Sequence, residues 1–156
     1  MEKIVSNLMV TDDVCLVTID NLPNDMRALA EVLEAVAKAG INVDMISQSN
    51  LAKSDFISLS FTISGNDLGN AMNVLGCFKQ QYKKLTIEIN SENTKLCVYG
   101  KAMPCSCGVA AGVFQVLADA AVDVRLVTTS EVDISFLIAD SNVDAAVSAL
   151  KKAYQL

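Results

Sequence analysis

The strongest nucleophiles in this 156-residue sequence are its five cysteines, and two of them, Cys105 and Cys107, stand two positions apart in Pro104-Cys-Ser-Cys-Gly108. They precede a segment read below as a helix, and a helix start can lower the pKa of a thiol placed on it, so the pair is a candidate reactive thiolate. Two ligands without partners do not make a zinc site. Cys15, Cys77 and Cys97 sit within apolar runs and read as small core residues. An odd cysteine count fits a reducing compartment better than a disulfide framework. Histidine is absent, which removes Ser-His-Asp and Cys-His catalysis, histidine-based zinc sites and the usual near-neutral general base. The seven glycines form neither GxGxxG nor a P-loop, and Gly108-x-x-x-Gly112 reads as close helix packing. No acid/base constellation is visible, so neither catalysis by this chain alone nor a cofactor is expected.

Composition narrows the partners. Hydrophobic residues make up 52% and charged residues 19%, with a net charge of −6, which describes a core-forming globular chain. No Lys/Arg run occurs, and nucleic acid or an anionic membrane surface would need a clustered basic face. No stretch approaches the roughly 18–20 apolar residues of a membrane span. The start, MEKIVSNLMVTDD, lacks the apolar core and cleavage site of a signal peptide. The expected location is the cytoplasm.

The elements that would position any site occur twice. A shift of 81 carries Ala39-Gly40-Ile41-Asn42-Val43 onto Ala120-Ala121-Val122-Asp123-Val124, and Leu33, Val36 and Ala37 onto Phe114, Leu117 and Ala118. A shift of 75 carries Ile57–Ile63 onto Val132–Ile138, and Leu68, Ala71, Met72 and Leu75 onto Val143, Ala146, Val147 and Leu150. The difference of six is a longer hairpin loop in the first copy, around Ser49 to Lys53.

In the first copy, Val14–Asp20 reads as a buried strand, and Asn24 or Asp25 as the cap of a helix closed by Gly40. Ile41, Val43 and Met45 alternate with Asn42 and Asp44 as a half-buried strand, and Ile57–Ile63 alternates more cleanly. Asn66 or Asp67 can cap a helix reaching about Tyr82, and Leu85–Ile89 is a last strand. The second copy runs as strand Lys95–Tyr99, helix Cys107–Ala120, strands Val122–Thr129 and Val132–Ala139, and helix Asn142–Ala153. Its sixth element is missing, whereas Ile4–Val10 is an unassigned segment of strand length. That strand would complete the second sheet, which otherwise leaves an uncovered edge. The expectation is an α+β chain of two ferredoxin-like βαββαβ units, each an antiparallel four-stranded sheet with two helices on one face. Residues 14–90 form the first unit, inserted in a second made of 1–13 and 91–156. Units this small are expected to share a core or to dimerise.

The repeated βαββαβ unit with Ala39-Gly-Ile-Asn-Val-Asp-Met-Ile46 after its first helix resembles the ACT domain, and more narrowly the tandem ACT regulatory region of bacterial aspartokinases. Gly108-Val-Ala-Ala111 with Phe114 and Leu117–Ala120 is similar to the family's first ACT helix. Leu126-Val-Thr-Thr-Ser-Glu-Val-Asp-Ile-Ser135 is similar to its hairpin, and in the first copy Ala39–Gln48 carries the same weight. The resemblance covers essentially the whole chain. It implies a regulatory module that binds lysine, threonine or both between ACT units and controls a separate aspartokinase catalytic domain. The expected assembly is a homodimer. The chain resembles a short regulatory subunit, a stand-alone ACT protein, or a piece of a larger enzyme.

An amino-acid effector presents a carboxylate, best met by free N–H groups at a helix start, and an ammonium, which needs oxygen partners. By resemblance the first-copy candidates are Asn24, Asp25, Arg27, Ala28 and Leu29 at the helix start, with Asn42, Asp44 and Gln48 beyond the helix. In the second copy they are Asp123, Val124, Ser130 and Glu131. As plain structure, Asn24 and Asp25 would be helix caps, and Asp44 and Asp123 solvated strand residues. The family pattern Asp-x-Pro-Gly is here Asn24-Asp25-Met26-Arg27. Arg27 in place of glycine either blocks a pocket or binds a carboxylate itself. The second copy keeps Gly108, with Cys107 in place of the proline. The alternatives to an effector-binding module are a structural dimerisation subunit that has lost its ligand, and a thiol-based protein using Cys105 and Cys107.

Overall fold

Apolar and β-branched residues alternate along Val14-Cys-Leu-Val-Thr-Ile19, and every second one faces a core: Cys15, Val17 and Ile19 are buried to 3% exposure or less. They belong to β1 (Asn7–Pro23), the first element of a computed structural model that describes residues 3–50 and 54–156. There follow α1 (Met26–Lys38), β2 (Ile46–Asn50), β3 (Phe56–Ser64), α2 (Leu68–Gln81), β4 (Thr86–Tyr99), α3 (Val109–Asp119), β5 (Val124–Thr129), β6 (Asp133–Ala139) and α4 (Val143–Tyr154). The chain divides into a first unit, Asp13–Ser91, and a second, Met1–Asp12 with Glu92–Leu156. The fold class is α+β, with two ferredoxin-like units.

In the first unit the strands lie in the order β2-β3-β1-β4. β1 and β2 both pair antiparallel with β3, Val17 opposite Phe61 and Gln48 opposite Leu59. Helices α1 and α2 pack together, and Leu29, Val32, Val36, Ala71 and Leu75 join Val17, Ile19, Leu59 and Phe61 in one core. The second unit has the order β1-β4-β6-β5, with Leu96 and Val127 both opposite Phe136. Its core gathers Leu96, Val98, Val113, Leu117, Phe136, Ala146 and Leu150. The alternating strands thus give each sheet one apolar face, and the helix stripes cover it.

Three expectations about strands are corrected. Ile4–Val10 and Val14–Asp20 are not the separate strands expected: β1 runs unbroken through Asp12 and Asp13. Likewise Leu85–Ile89 and Lys95–Tyr99 lie close to the two ends of a single β4. Neither junction contains Gly or Pro, and one left-handed residue in each, Asp13 (φ 55°) and Glu92 (φ 59°), does not end a strand. Residues 41–45 do not form the expected strand, and the regular ladder starts at Ile46. The hydroxyl of Thr62 accepts the Met45 amide at 2.9 Å, so a side chain takes the place of a ladder carbonyl there. Cys77, expected in the core, is exposed on α2. The long hairpin loop expected around Ser49 to Lys53 lies partly outside the described residues.

The two copies close their first helices in the same way, but with different residues. Gly40 has φ 75°, and Ile41 N–H donates to Val36 O at 3.2 Å. In the second copy Ala121 takes φ 54°, and Val122 N–H donates to Leu117 O at 3.0 Å. A left-handed alanine carries a steric cost of about 1–2 kcal/mol that glycine avoids. Ala121→Gly is therefore expected to stabilise the second unit by about 1 kcal/mol in urea unfolding, after glycine's own entropic loss. An unchanged or lowered midpoint would refute this.

Candidate functional site

The helix starts differ in how their backbone amides are used. Asp25 caps α1, and its carboxylate accepts the Arg27 amide at 3.1 Å. Asn24 ties the same turn to the far side of the hairpin, donating from its backbone to Asp55 O at 2.9 Å and from Nδ2 to Ser54 O at 3.2 Å. A negative charge therefore already sits at the start of α1. Arg27 is exposed, whereas Ala28 and Leu29 are buried at 4% and 6% exposure as core residues. Leu29 N–H donates back to Asp25 O.

The remaining first-copy candidates lie elsewhere. Asn42 and Asp44 are exposed beyond Gly40, at the opposite end of α1 from Asp25, and a 13-residue helix is about 20 Å long. The Asp44 amide donates to Thr62 O at 3.1 Å. Gln48 is exposed on β2, opposite Leu59 of β3. The helix start and the Asn42–Asp44 segment are thus not gathered around one point.

At the start of α3 no side chain of the described residues accepts a helix amide. Gly108 is the N-cap at φ 87° without a side-chain cap bond, and the first helical hydrogen bond runs from Gly112 N–H to Gly108 O at 3.0 Å. The amides of Val109, Ala110 and Ala111 therefore have no intrahelical acceptor. Beside them lies a cavity of about 280 Å³ whose walls include Ser106, Gly108, Ala110, Thr129, Ser130 and Glu131. Glu131 is exposed. The Ser130 hydroxyl pairs with the Asp133 carboxylate at 2.5 Å and accepts the Val132 and Asp133 amides at 3.2 Å, which fixes the hairpin. Asp123 and Val124 sit at the other end of β5, six residues or about 20 Å away. Val124 is half-buried against the core.

This arrangement sets free helix amides and the positive end of a helix dipole, which suit an anion, beside a cavity the size of a small metabolite that Glu131 also lines. Two other cavities are not legible as sites in the sequence. Asp20, Asn21, Ser49, Ser54 and Ser58 line a polar cavity of about 530 Å³ in the first unit, where Ser58 donates to the Asp20 carboxylate. Strand polar residues read as merely solvated, so only the left-handed Asn21 (φ 59°) marks this place. A cavity of about 580 Å³ on the other flank of α3 involves Lys3, Cys107 and Tyr154. Ser106, Gly108 and Val109 border both cavities at α3. Among the described residues no cluster of three or more Cys, Asp or Glu could hold a metal ion.

Burial raises the Tyr154 phenol above its ordinary value of 10.0. The folded state keeps this proton longer than the unfolded chain does. The stabilising difference is thus complete below pH 10 and is lost as pH rises through the raised folded value. Wild-type stability is expected to fall more steeply above pH 10 than that of Tyr154→Phe, measured by urea midpoints. Parallel curves would contradict it.

The sequence model of the ACT domain matches residues 21–76 and 96–154. The chain is 34% identical over 153 residues to an aspartokinase of Bacillus sp. strain MGA3, covering 98% of this chain and 37% of that protein. It thus spans little more than a third of the length of the curated relatives it matches. A chain in a crystal structure of aspartokinase alpha and beta subunits superposes with a TM-score of 0.86 at 27% identity, covering 97% of this chain and 99% of that one. The ligand-free regulatory subunit of aspartate kinase from Thermus thermophilus superposes at 0.89 with 24% identity and the same coverage, a likeness of fold.

Proposed function

The chain belongs to the ACT-domain family, and from that premise we propose that it is a non-catalytic regulatory module that binds a small amino acid and controls an aspartokinase catalytic domain. In this reading residues 14–90 are one ACT unit inserted in another made of 1–13 and 91–156. The module works as a cytoplasmic homodimer, in the biosynthesis of the aspartate family of amino acids, with lysine or threonine as effector at an interface between ACT units. No described helix is long and apolar enough to cross a membrane.

One observation carries the reading: the uncapped start of α3 and Glu131 line the same cavity. Helix amides suit the effector's α-carboxylate, and the Glu131 carboxylate suits its ammonium. Asn24, Asp25, Arg27 and Gln48 form a second candidate in the first unit, where the ligand's carboxylate would have to displace that of Asp25 or pair with Arg27. Control of the kinase would follow from a difference in effector affinity between two arrangements of the module.

Thermal unfolding in the presence of each proteinogenic amino acid tests this. A true effector at 100 times its dissociation constant stabilises the folded state by about 2.7 kcal/mol. Glu131→Gln is expected to weaken that effector about tenfold to a hundredfold, the range for a lost charged hydrogen bond. If no amino acid moves the transition, sensing fails. A purely structural dimerisation role is then favoured, consistent with Asp25 already occupying the start of α1 and with Arg27 at the glycine position.

A further inference from the structure

The cavity of about 580 Å³ on the other flank of α3 is used by neither effector candidate. Its walls include Lys3, Cys107, Gly108, Gly112, Tyr154 and Gln155. Cys105 and Cys107 are both exposed free thiols. Ser106 between them is extended, at φ −133° and ψ 117°, between the turn that ends at Cys105 and the turn that begins at Cys107. An extended central residue sets the Cα atoms of Cys105 and Cys107 about 6.6 Å apart, within the separation of about 4.4–6.8 Å that a disulfide bridges. Lys3 Nζ donates to the Gln155 carbonyl at 2.7 Å, which places an ammonium at the cavity rim. Lys3 makes no ion pair among the described residues.

We propose that Cys107 is a thiol–disulfide exchange site for a small anionic disulfide of the glutathione class, with Cys105 as the resolving thiol. Cys107 gives its proton to solvent, and its thiolate attacks one sulfur of the small disulfide. That S–S bond breaks, and one thiol leaves with the bonding pair and takes up a proton. Cys105 in turn loses its proton and attacks the Cys107 sulfur, releasing the second small thiol. Two protein thiols are oxidised to one disulfide and the small disulfide is reduced to two thiols, so no other oxidant enters. Lys3 attracts the carboxylates of the incoming disulfide. The two-residue bridge spans the upper end of the allowed separation, and such a bond is readily reduced again.

Two variants of the full chain isolate the first step: Cys77→Ser with Cys105→Ser, leaving Cys107 as the exposed thiol, and Cys105→Ser with Cys107→Ser, leaving Cys77. Each is reacted with a dianionic aromatic disulfide and with neutral dipyridyl disulfide. The anionic-to-neutral rate ratio is expected to be about tenfold higher at Cys107 than at Cys77, as electrostatic steering gives. Lys3→Gln should remove that preference while leaving the neutral rate unchanged. With Cys105 present, mass spectrometry after glutathione disulfide treatment should show an internal disulfide without bound glutathione. Equal ratios at the two thiols, or a preference that survives Lys3→Gln, overturn the anionic site. A persistent glutathione adduct with Cys105 present overturns its resolving role.

Discussion

Phe136→Ala is expected to cost about 3–5 kcal/mol, the range for truncating a fully buried aromatic. Phe136 has 0% exposure and stands between Leu96 on β4 and Val127 on β5 in the sheet register. Its ring meets that of Phe114 edge-on, with centroids 5.2 Å apart and planes at 68°, a geometry that contributes beyond area alone. The alanine would leave a void among β-strand neighbours that cannot collapse, because hydrogen-bonded ladders on both sides hold the backbone. Phe61 occupies the matching place in the first unit, also with 0% exposure, and Phe61→Ala should cost a similar amount. Urea unfolding followed by circular dichroism measures both. A loss below about 1 kcal/mol at either site would mean that these phenylalanines do not anchor their cores.

Gly100→Ala is the second large effect, and it acts through backbone. A Cβ at Gly100 would lie 1.7 Å from the Ile4 carbonyl oxygen and 2.7 Å from its carbon. Nothing flexible can yield there, so the segment at Ile4 and Val5 must move. Val5, 2% exposed, would leave the core, and the bond from Ser6 N–H to Tyr99 O at 2.8 Å would break. Losing one buried valine costs about 1.5–3 kcal/mol and the hydrogen bond about 1 kcal/mol more. Gly69→Ala is the contrast. That glycine lies in α2 with nothing within 4 Å of a new Cβ, and alanine there should stabilise by about 0.5–1 kcal/mol. If Gly100→Ala is as mild as Gly69→Ala, the N-terminal segment does not pack as described.

The repeat made the cores legible. The residues paired by the shift of 75 include Phe61 with Phe136, Ala71 with Ala146 and Leu75 with Leu150, and all six are at 0% exposure. Burial in a helix stripe or a strand face imposes a period, and a period survives in sequence. Element ends were less legible because they depend on single bonds. The Thr62 hydroxyl delays β2, and Asp13 and Glu92 turn left-handed without ending their strands. Site residues were least legible. Resemblance grouped Asp123 and Val124 with Ser130 and Glu131, but β5 holds them at opposite ends. It also emphasises the start of α1, where Asp25 already accepts an amide, over that of α3, where no side chain among the described residues does. Whether a helix start is occupied is a matter of rotamer and loop path, and a string of residues does not record it.

Amide-resolved NMR titration with lysine and with threonine asks whether the start of α3 and the β5–β6 hairpin are this unit's share of an amino-acid site at an interface between ACT units. Saturable shifts of the Val109, Ala110 and Ala111 amides together with those of Ser130 and Glu131 are expected, absent in Glu131→Gln at the same ligand concentration. Titrations that leave these amides unmoved, or that move only residues around Asp25 and Gln48, would contradict this assignment.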